Sequence, residues 1–334
     1  GGLSIGFITF VLVAQPDWNH QKIAEEFVIL GTLLNWPHFM ATYFLLYGSS
    51  ETVERYPWST KWMPLLLGVY CLVAAVVSPY TEIPLDIALF AAGAYLAWHY
   101  TGQTWGMMAT FSYLGGAPFE DDEKSLIRLS LRLLLVWHVV WFVFNTSLFG
   151  LQGTLKPDFA VYYYGVSVLL IGSGSLVGGY GVYKYIKRIG ETPPVRVMVP
   201  FVSIWTWYAL LAVYPFAIFW VQLSHALQYL LFPARVEMNR QAQKRDDKEA
   251  GEGIDYKKLA LYAVVLIGSG VLVSEGIPRL LEVGMPVVGP DITLDNAKGA
   301  IVAFINVHHY FADGAIWKLS NPSVRKELFA HVGE

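Results

Sequence analysis

Charged side chains are scarce in this sequence: Asp, Glu, Lys and Arg make up 15% of its 334 residues, against roughly 25% in an ordinary soluble domain. A chain of this size cannot cover a water-facing surface with so few charges, so it reads as an integral membrane protein. Cysteine is nearly absent, with Cys71 alone. A single thiol excludes an internal disulfide, a thiolate-only zinc site and a cysteine-ligated iron–sulfur cluster, and leaves the redox compartment undecided. The net charge of -3 is too small to suggest a nucleic-acid or anionic-lipid partner. No internal repeat is visible, and no polar stretch is large enough to fold as a separate soluble domain.

Apolar residues fill the space, at 55% of the chain, with 12 Trp, 20 Tyr and 19 Phe. Part of that aromatic content fits belts at the membrane–water interface. Stretches near the roughly 20 residues that cross a bilayer fall at 26–48, 62–79, 84–110, 126–149, 159–184, 258–277 and 298–317. The run LSIGFITFVLVA from Leu3 is short and has no basic region ahead of it. It reads as the remainder of a helix rather than as a signal peptide.

Basic loops set the orientation, because cytoplasmic loops carry the excess of Lys and Arg. The segments 184–199 and 234–258 are the most basic and are expected inside. The apolar stretch 198–233 between them must then enter and return, as two short helices or a broken pair hinged near Pro215. Loops 49–61 and 111–125 and the C-terminal tail then also face inward, and 80–83, 150–158 and 278–297 face outward. The expected fold is all-α: one polytopic transmembrane bundle over 1–334, with about eight or nine crossings and a polar cytoplasmic connector at 234–257. The expected location is a prokaryotic inner (cytoplasmic) membrane.

Against this background the segment NVHHYFADGAIWK, residues 306 to 318, is anomalous. It sets His308, His309 and Asp313 where hydrocarbon is wanted. Six of the eight histidines behave alike: His38, His99, His138, His225, His308 and His309 all lie within about two residues of the centres of five apolar stretches, a layer several ångströms thick at ~1.5 Å per residue. The other two, His20 and His331, sit in polar flanks. Polar residues share the helix faces of the buried set at i,i+3 and i,i+4: Asn35 and Thr42 with His38, Gln103 with His99, Gln222 and Gln228 with His225, Asn306 and Asp313 with His309, and Asn145 two turns from His138. A ligating imidazole commonly hands its other N–H to an oxygen acceptor, which is the pattern these neighbours suggest. His309 and Asp313, four apart on a helix, are spaced to hold one ion together.

An ionisable group at mid-membrane costs about 2.5–3.5 kcal/mol on insertion scales and marks a functional site by default. A divalent metal offsets the charge of Asp313. Histidine and carboxylate donors without thiolate favour one or two iron ions, then zinc or manganese. The predicted ligands are His38, His99, His138, His225, His308, His309 and Asp313, and the groups placed for a direct part in chemistry are Asp313, Gln103 and Gln228. The glycine-rich run GSGSLVGGYG at 172–181 lacks the Lys-Ser/Thr of a phosphate loop and carries Gly174 and Gly178 at the spacing of close helix packing. Pro37, just before His38, is expected to kink its helix.

The segments PHF at 37–39, HYTGQ at 99–103, WHVVW at 137–141, SHALQ at 224–228 and NVHHYFAD at 306–313 together resemble the membrane-embedded, histidine-ligated non-haem iron oxygenases. That group includes fatty-acid desaturases and hydroxylases and the bacterial carotene-cleaving dioxygenases. The likeness is one of architecture: desaturases carry compact histidine boxes near the cytoplasmic surface, whereas here single histidines sit deep on separate helices. It implies an iron-dependent oxygenase or related oxidoreductase, a lipid-soluble substrate such as an acyl chain, isoprenoid, carotenoid or quinone, and an electron donor or partner subunits. Two other readings stay open. One is a haem- or chlorophyll-binding subunit of an electron-transfer or photosynthetic complex, with histidines as axial ligands. The other is a transporter or proton channel using Asp313 and the histidines as a relay.

Overall fold

The computed structural model describes residues 5–6, 29–146, 148, 157–246, 255–288 and 292–317, with the helical backbone alone at 157–158, 242–246 and 285–288. The run from Leu3, both flanking histidines, most of the 150–158 loop and the basic tail after Trp317 lie outside these residues. Every regular element among the described residues is helical. In chain order they are α1 (Trp36–Tyr47), α2 (Ser50–Arg55), α3 (Met63–Val77), α4 (Ile83–Leu114), α5 (Asp121–Asn145), α6 (Pro157–Ile189), α7 (Val195–Val213), α8 (Ile218–Asp246), α9 (Tyr256–Val271), α10 (Ile277–Val288) and α11 (Leu294–Ile316).

Among the described residues, five stretches are long and apolar enough to cross a membrane: Trp58–Val77, Asp121–Asn145, Phe159–Ile189, Val195–Val213 and Tyr256–Gly284. This is consistent with an integral membrane protein. α5 in this set carries His138. The helices that carry the other five mid-span histidines, α1, α4, α8 and α11, fall outside it.

Proline shapes the helices in a regular way. π-helical turns occur at Gly31–Asn35, Trp58–Trp62 and Leu272–Gly276, and each ends two residues before a proline: Pro37, Pro64 and Pro278. In all three the residue just before the proline donates its N–H to the carbonyl five back: Trp36 to Gly31, Met63 to Trp58, Ile277 to Leu272. A proline has no N–H and its ring clashes with the carbonyl four residues earlier; widening the turn gives that carbonyl room. The anticipated distortion at Pro37 therefore takes the form of a wide turn ahead of it. At Pro278 the same device lets the helix run on, so that much of the expected outer loop 278–297 is α10.

The stretch 198–233 breaks where proline predicts. α7 ends at Val213, a 3-10 turn occupies Pro215–Ala217 and α8 starts at Ile218. Its second arm does not stop at 233: α8 continues through Pro233 to Asp246, taking in the first half of the expected connector, where Arg, Glu, Met, Gln, Ala and Lys are strong helix formers. Residues 247–254 lie outside the described set.

The chain divides into two compact units, 1–18 with 90–221, and 19–89 with 222–334. In the first, α5 and α6 pack antiparallel: Gly174 lies against Ser130 and Leu133, Gly178 against Ser130, and Gly181 against Leu126 and Ile127. A Cβ on Gly178 would overlap the Ser130 hydroxyl and the Phe201 ring, so the glycine-rich run serves close packing, as its spacing predicts. The α5 N-terminus has a capping box between Glu120 and Glu123. Arg188 of α6 clamps the buried Glu123 through Nε to Oε1 (2.7 Å) and Nη2 to Oε2 (2.9 Å), while Lys184 pairs with Asp122.

In the second unit small residues bring α3 and α11 together: Cys71, Ala74 and Ala75 pack with Ala297, Ala300 and Ala303. Gly270 of α9 meets Trp36, and Phe39, Met40, Leu266 and Ile305 join α1, α9 and α11 in a second cluster. These contacts hold α1 and α11 side by side along the faces that carry polar groups.

Candidate metal centre

All six mid-span histidines are buried, none more than 6% exposed. An imidazole in an apolar segment must find polar company inside the protein. The second unit carries His38, His225, His308 and His309, and the first carries His99 and His138.

In the second unit α1 supplies His38, α8 His225 and α11 His309. The His38 ring lies 4.5 Å from that of His309 and 5.1 Å from that of His225, centroid to centroid, edge-on in both cases. A nitrogen of His38 and one of His309 fall within 4.8 Å of each other. Asp313, one turn beyond His309, brings Oδ2 to 3.6 Å from His309 Nε2. Three imidazole rings thus pack on one buried patch, and the Asp313 carboxylate adjoins one of them, His309. Two donors on one ion at about 2.1 Å each are separated by roughly 3.0 Å when adjacent and 4.2 Å when opposite. The His309–Asp313 pair lies within that range and the His38 nitrogen close to it. The donor set fits a borderline or hard divalent cation.

The Asp313 carboxylate is anchored through its other oxygen. Tyr229, one turn beyond His225 on α8, donates its hydroxyl to Oδ1 at 2.7 Å, and Thr42, one turn beyond His38 on α1, donates to the same atom at 3.1 Å. The two hydroxyl oxygens are themselves 2.6 Å apart, and Trp317 Nε1–H donates to the Tyr229 oxygen at 2.9 Å. Hydroxyl donors hold the charged carboxylate in one orientation and turn Oδ2 toward His309. Since each helix places a ligand and its support four residues apart, three i,i+4 pairs build the whole arrangement: His38 with Thr42, His225 with Tyr229, and His309 with Asp313.

His308 stands apart from its neighbour. Adjacent residues on a helix point about 100° apart, and His308 turns toward Tyr43 and Ser59. Its Nε2 is 2.7 Å from the Ser59 carbonyl, which can only accept, so Nε2 carries the proton of the neutral ring and Nδ1, 3.1 Å from the Tyr43 hydroxyl, accepts. With both nitrogens so engaged, His308 ties α11 to the turn before α3. The predicted ligand His308 thus has both ring nitrogens on protein partners.

In the first unit His99 is buried on α4, beside Tyr100. His138 is fully buried on α5, with Nδ1 3.0 Å from the Tyr208 hydroxyl of α7 and its ring against Trp141. Gln103, Gln222 and Gln228 are half-buried. Two expected supports bond elsewhere: Asn306 donates to the Val302 carbonyl and accepts from the Tyr310 hydroxyl, and Asn145 donates to the Trp141 carbonyl. Tyrosines take their place. Tyr43, Tyr208 and Tyr229 are the polar partners of His308, His138 and Asp313, and sequence reasoning passed over all three. The i,i+4 spacing of His225 and Tyr229 could have flagged one of them. The pairings of Tyr43 and Tyr208 join distant segments and leave no local trace. Comparison with protein-family models, with curated proteins and with solved structures finds no match to this chain.

Proposed function

We propose that this is an integral-membrane, metal-dependent oxygenase or related oxidoreductase acting on a lipid-soluble substrate, with one or two iron ions at the group formed by His38, His225, His309 and Asp313. The observation that carries the proposal is the packing of three buried imidazoles from three helices, one of them beside a buried carboxylate whose far oxygen is fixed by two hydroxyls. Nitrogen and oxygen donors favour iron over softer ions, with zinc and manganese next. Iron bound there supplies the binding and reduction of O₂; the protein supplies geometry and a dry site. Asp313 offsets the cation's charge, Tyr229 and Thr42 fix its carboxylate, and Phe39, 4.9 Å from both the His38 and His309 rings, shields one side from water. A site among apolar helices is reached most readily from the lipid, so an acyl chain, isoprenoid, carotenoid or quinone is the substrate class that fits. The bundle is proposed to cross a prokaryotic inner membrane about eight or nine times, with an electron donor or partner subunit completing the reaction.

A haem or chlorophyll site fits less well. The edge-on packing of His38 between His225 and His309 leaves no flat slot for a macrocycle, and two imidazoles on opposite faces of a tetrapyrrole would stand farther apart than these. A proton pathway is favoured by one observation, the continuous run of Trp317, Tyr229, Thr42, Asp313 and His309; metal-independent proton flux in proteoliposomes would put that reading first.

The test is elemental analysis with an optical spectrum on full-length protein purified in mild detergent. At least one equivalent of iron and no Soret band are expected, and less than about half an equivalent of any transition metal in the wild type overturns the proposal. The ligand set derived from sequence is wider than this group, and the metal content of His99→Ala and His138→Ala variants decides whether those two belong to it.

A further inference from the structure

Before His138, α5 carries a row of cations at i,i+4 spacing: Lys124, Arg128 and Arg132. Residues four apart stack on one helix face about 6 Å from each other. They line an open groove of about 260 Å³ together with Asp121 and Ser125. The charges in this neighbourhood are unequally matched. Lys124 donates to Asp121 at 2.9 Å, Asp122 is taken by Lys184 and Glu123 by Arg188. Arg128 rests its guanidinium 5.9 Å from the ring of the half-buried Trp105, and Arg132 has no carboxylate partner among the described residues. The uncompensated positive charge of the groove is therefore that of the two arginines, with Asp121 paired to Lys124.

The same helix row goes on to Val136, 47% exposed, and Leu129, beside Arg128, is 44% exposed. One exposed strip thus passes from guanidinium groups to hydrocarbon within a turn or two, inside a helix long and apolar enough to span a membrane. An indole beside an arginine at such a boundary is the usual composition of a membrane interface. Two planar forks one helical turn apart suit a phosphodiester, which each can meet with paired N–H groups. A free anion would use the arginines and leave the apolar continuation idle, whereas a phospholipid uses both.

We infer that Lys124, Arg128 and Arg132 with Trp105 form a binding site for one anionic phospholipid, its phosphate on Arg128 and Arg132 and an acyl chain along Leu129 and Val136.

The experiment titrates delipidated full-length protein in detergent with phosphatidylglycerol or phosphatidylcholine and reads bound lipid by native mass spectrometry. Wild type should retain phosphatidylglycerol in preference to phosphatidylcholine. Arg132→Gln should weaken that retention about fivefold, and the Arg128→Gln/Arg132→Gln double variant about 25-fold, following the usual contribution of a cation near an anionic membrane surface. Lys187→Gln, which removes an exposed cation of α6, should leave it unchanged. Equal retention of the two lipids by wild type, or equal retention of phosphatidylglycerol by wild type and Arg132→Gln, overturns the site. Inorganic phosphate binding as tightly as phosphatidylglycerol makes it a free-anion site and overturns the lipid assignment. Should the double variant fail to fold, the lipid comparison on wild type and the exposed Arg132→Gln decide alone.

Discussion

Replacing Tyr229 by Phe removes one oxygen from the centre of the carboxylate anchor and little volume. In the native arrangement the hydroxyl is 2.7 Å from Asp313 Oδ1 and shares that atom with Thr42 at 3.1 Å. A hydrogen bond to a charged group contributes about 1.5–3 kcal/mol. If the anchor serves to present Oδ2 to a cation, its loss should weaken metal binding about 10–100-fold, the usual range for residues that orient a ligand. Thr42→Val should do less, because its contact is longer. The double variant should fall short of the product of the two effects, because the hydroxyls lie 2.6 Å apart and act on one oxygen. Trp317 Nε1–H also loses its acceptor in Tyr229→Phe, so the metal-free protein should lose about 1 kcal/mol for that donor, the low end for one left half-buried, in addition to the carboxylate's hydrogen bond. Two measurements separate these effects: competition titration of iron with a chelator of known affinity, and thermal unfolding of metal-free protein. An iron affinity within about twofold of wild type, with metal-free stability lowered, would show that Tyr229 only supports packing and would refute the anchoring argument. A wild type that takes up no metal would remove the proposed function itself.

Two further outcomes follow from the packing. His308→Ala should leave metal stoichiometry unchanged while lowering stability by about 1–3 kcal/mol, because the Ser59 carbonyl and the Tyr43 hydroxyl lose their partner; loss of metal in that variant would return His308 to the ligand set. Gly178→Ala should destabilise by about 1–3 kcal/mol, since a Cβ there meets Ser130 and Phe201, whereas Gly179→Ala, with open space around it, should not; thermal unfolding of both variants in the same detergent makes the comparison.

Hydropathy and proline placement are local properties, and they carried much of the fold. The helical character, the break at Pro215 and the close packing at Gly174 and Gly178 follow from residues within a turn or two of each other. The burial of six histidines follows as well, because a polar ring in an apolar segment is driven inward wherever that segment packs. Element ends were harder. α8 runs on past Pro233 because its polar residues are good helix formers, and the wide turn at Leu272–Gly276 carries a helix through Pro278 that a hydropathy profile ends there. The difference between His308 and His309 belongs to the tertiary structure: one residue of chain is about 100° of helix rotation, which sends one ring to Ser59 and Tyr43 and the other to His38 and Asp313. The partners that fix the polar atoms are likewise decided in three dimensions. Asn145 and Asn306 satisfy carbonyls of their own helices, while the Tyr229 hydroxyl and the Asp313 carboxylate, 187 and 271 positions away in the chain, close around Thr42. The sequence by itself determined which side chains must be buried, because that cost is charged residue by residue. Only the packing of α1, α8 and α11 decided which of them face one another, because direction around a helix axis has meaning only when a neighbouring helix is in place.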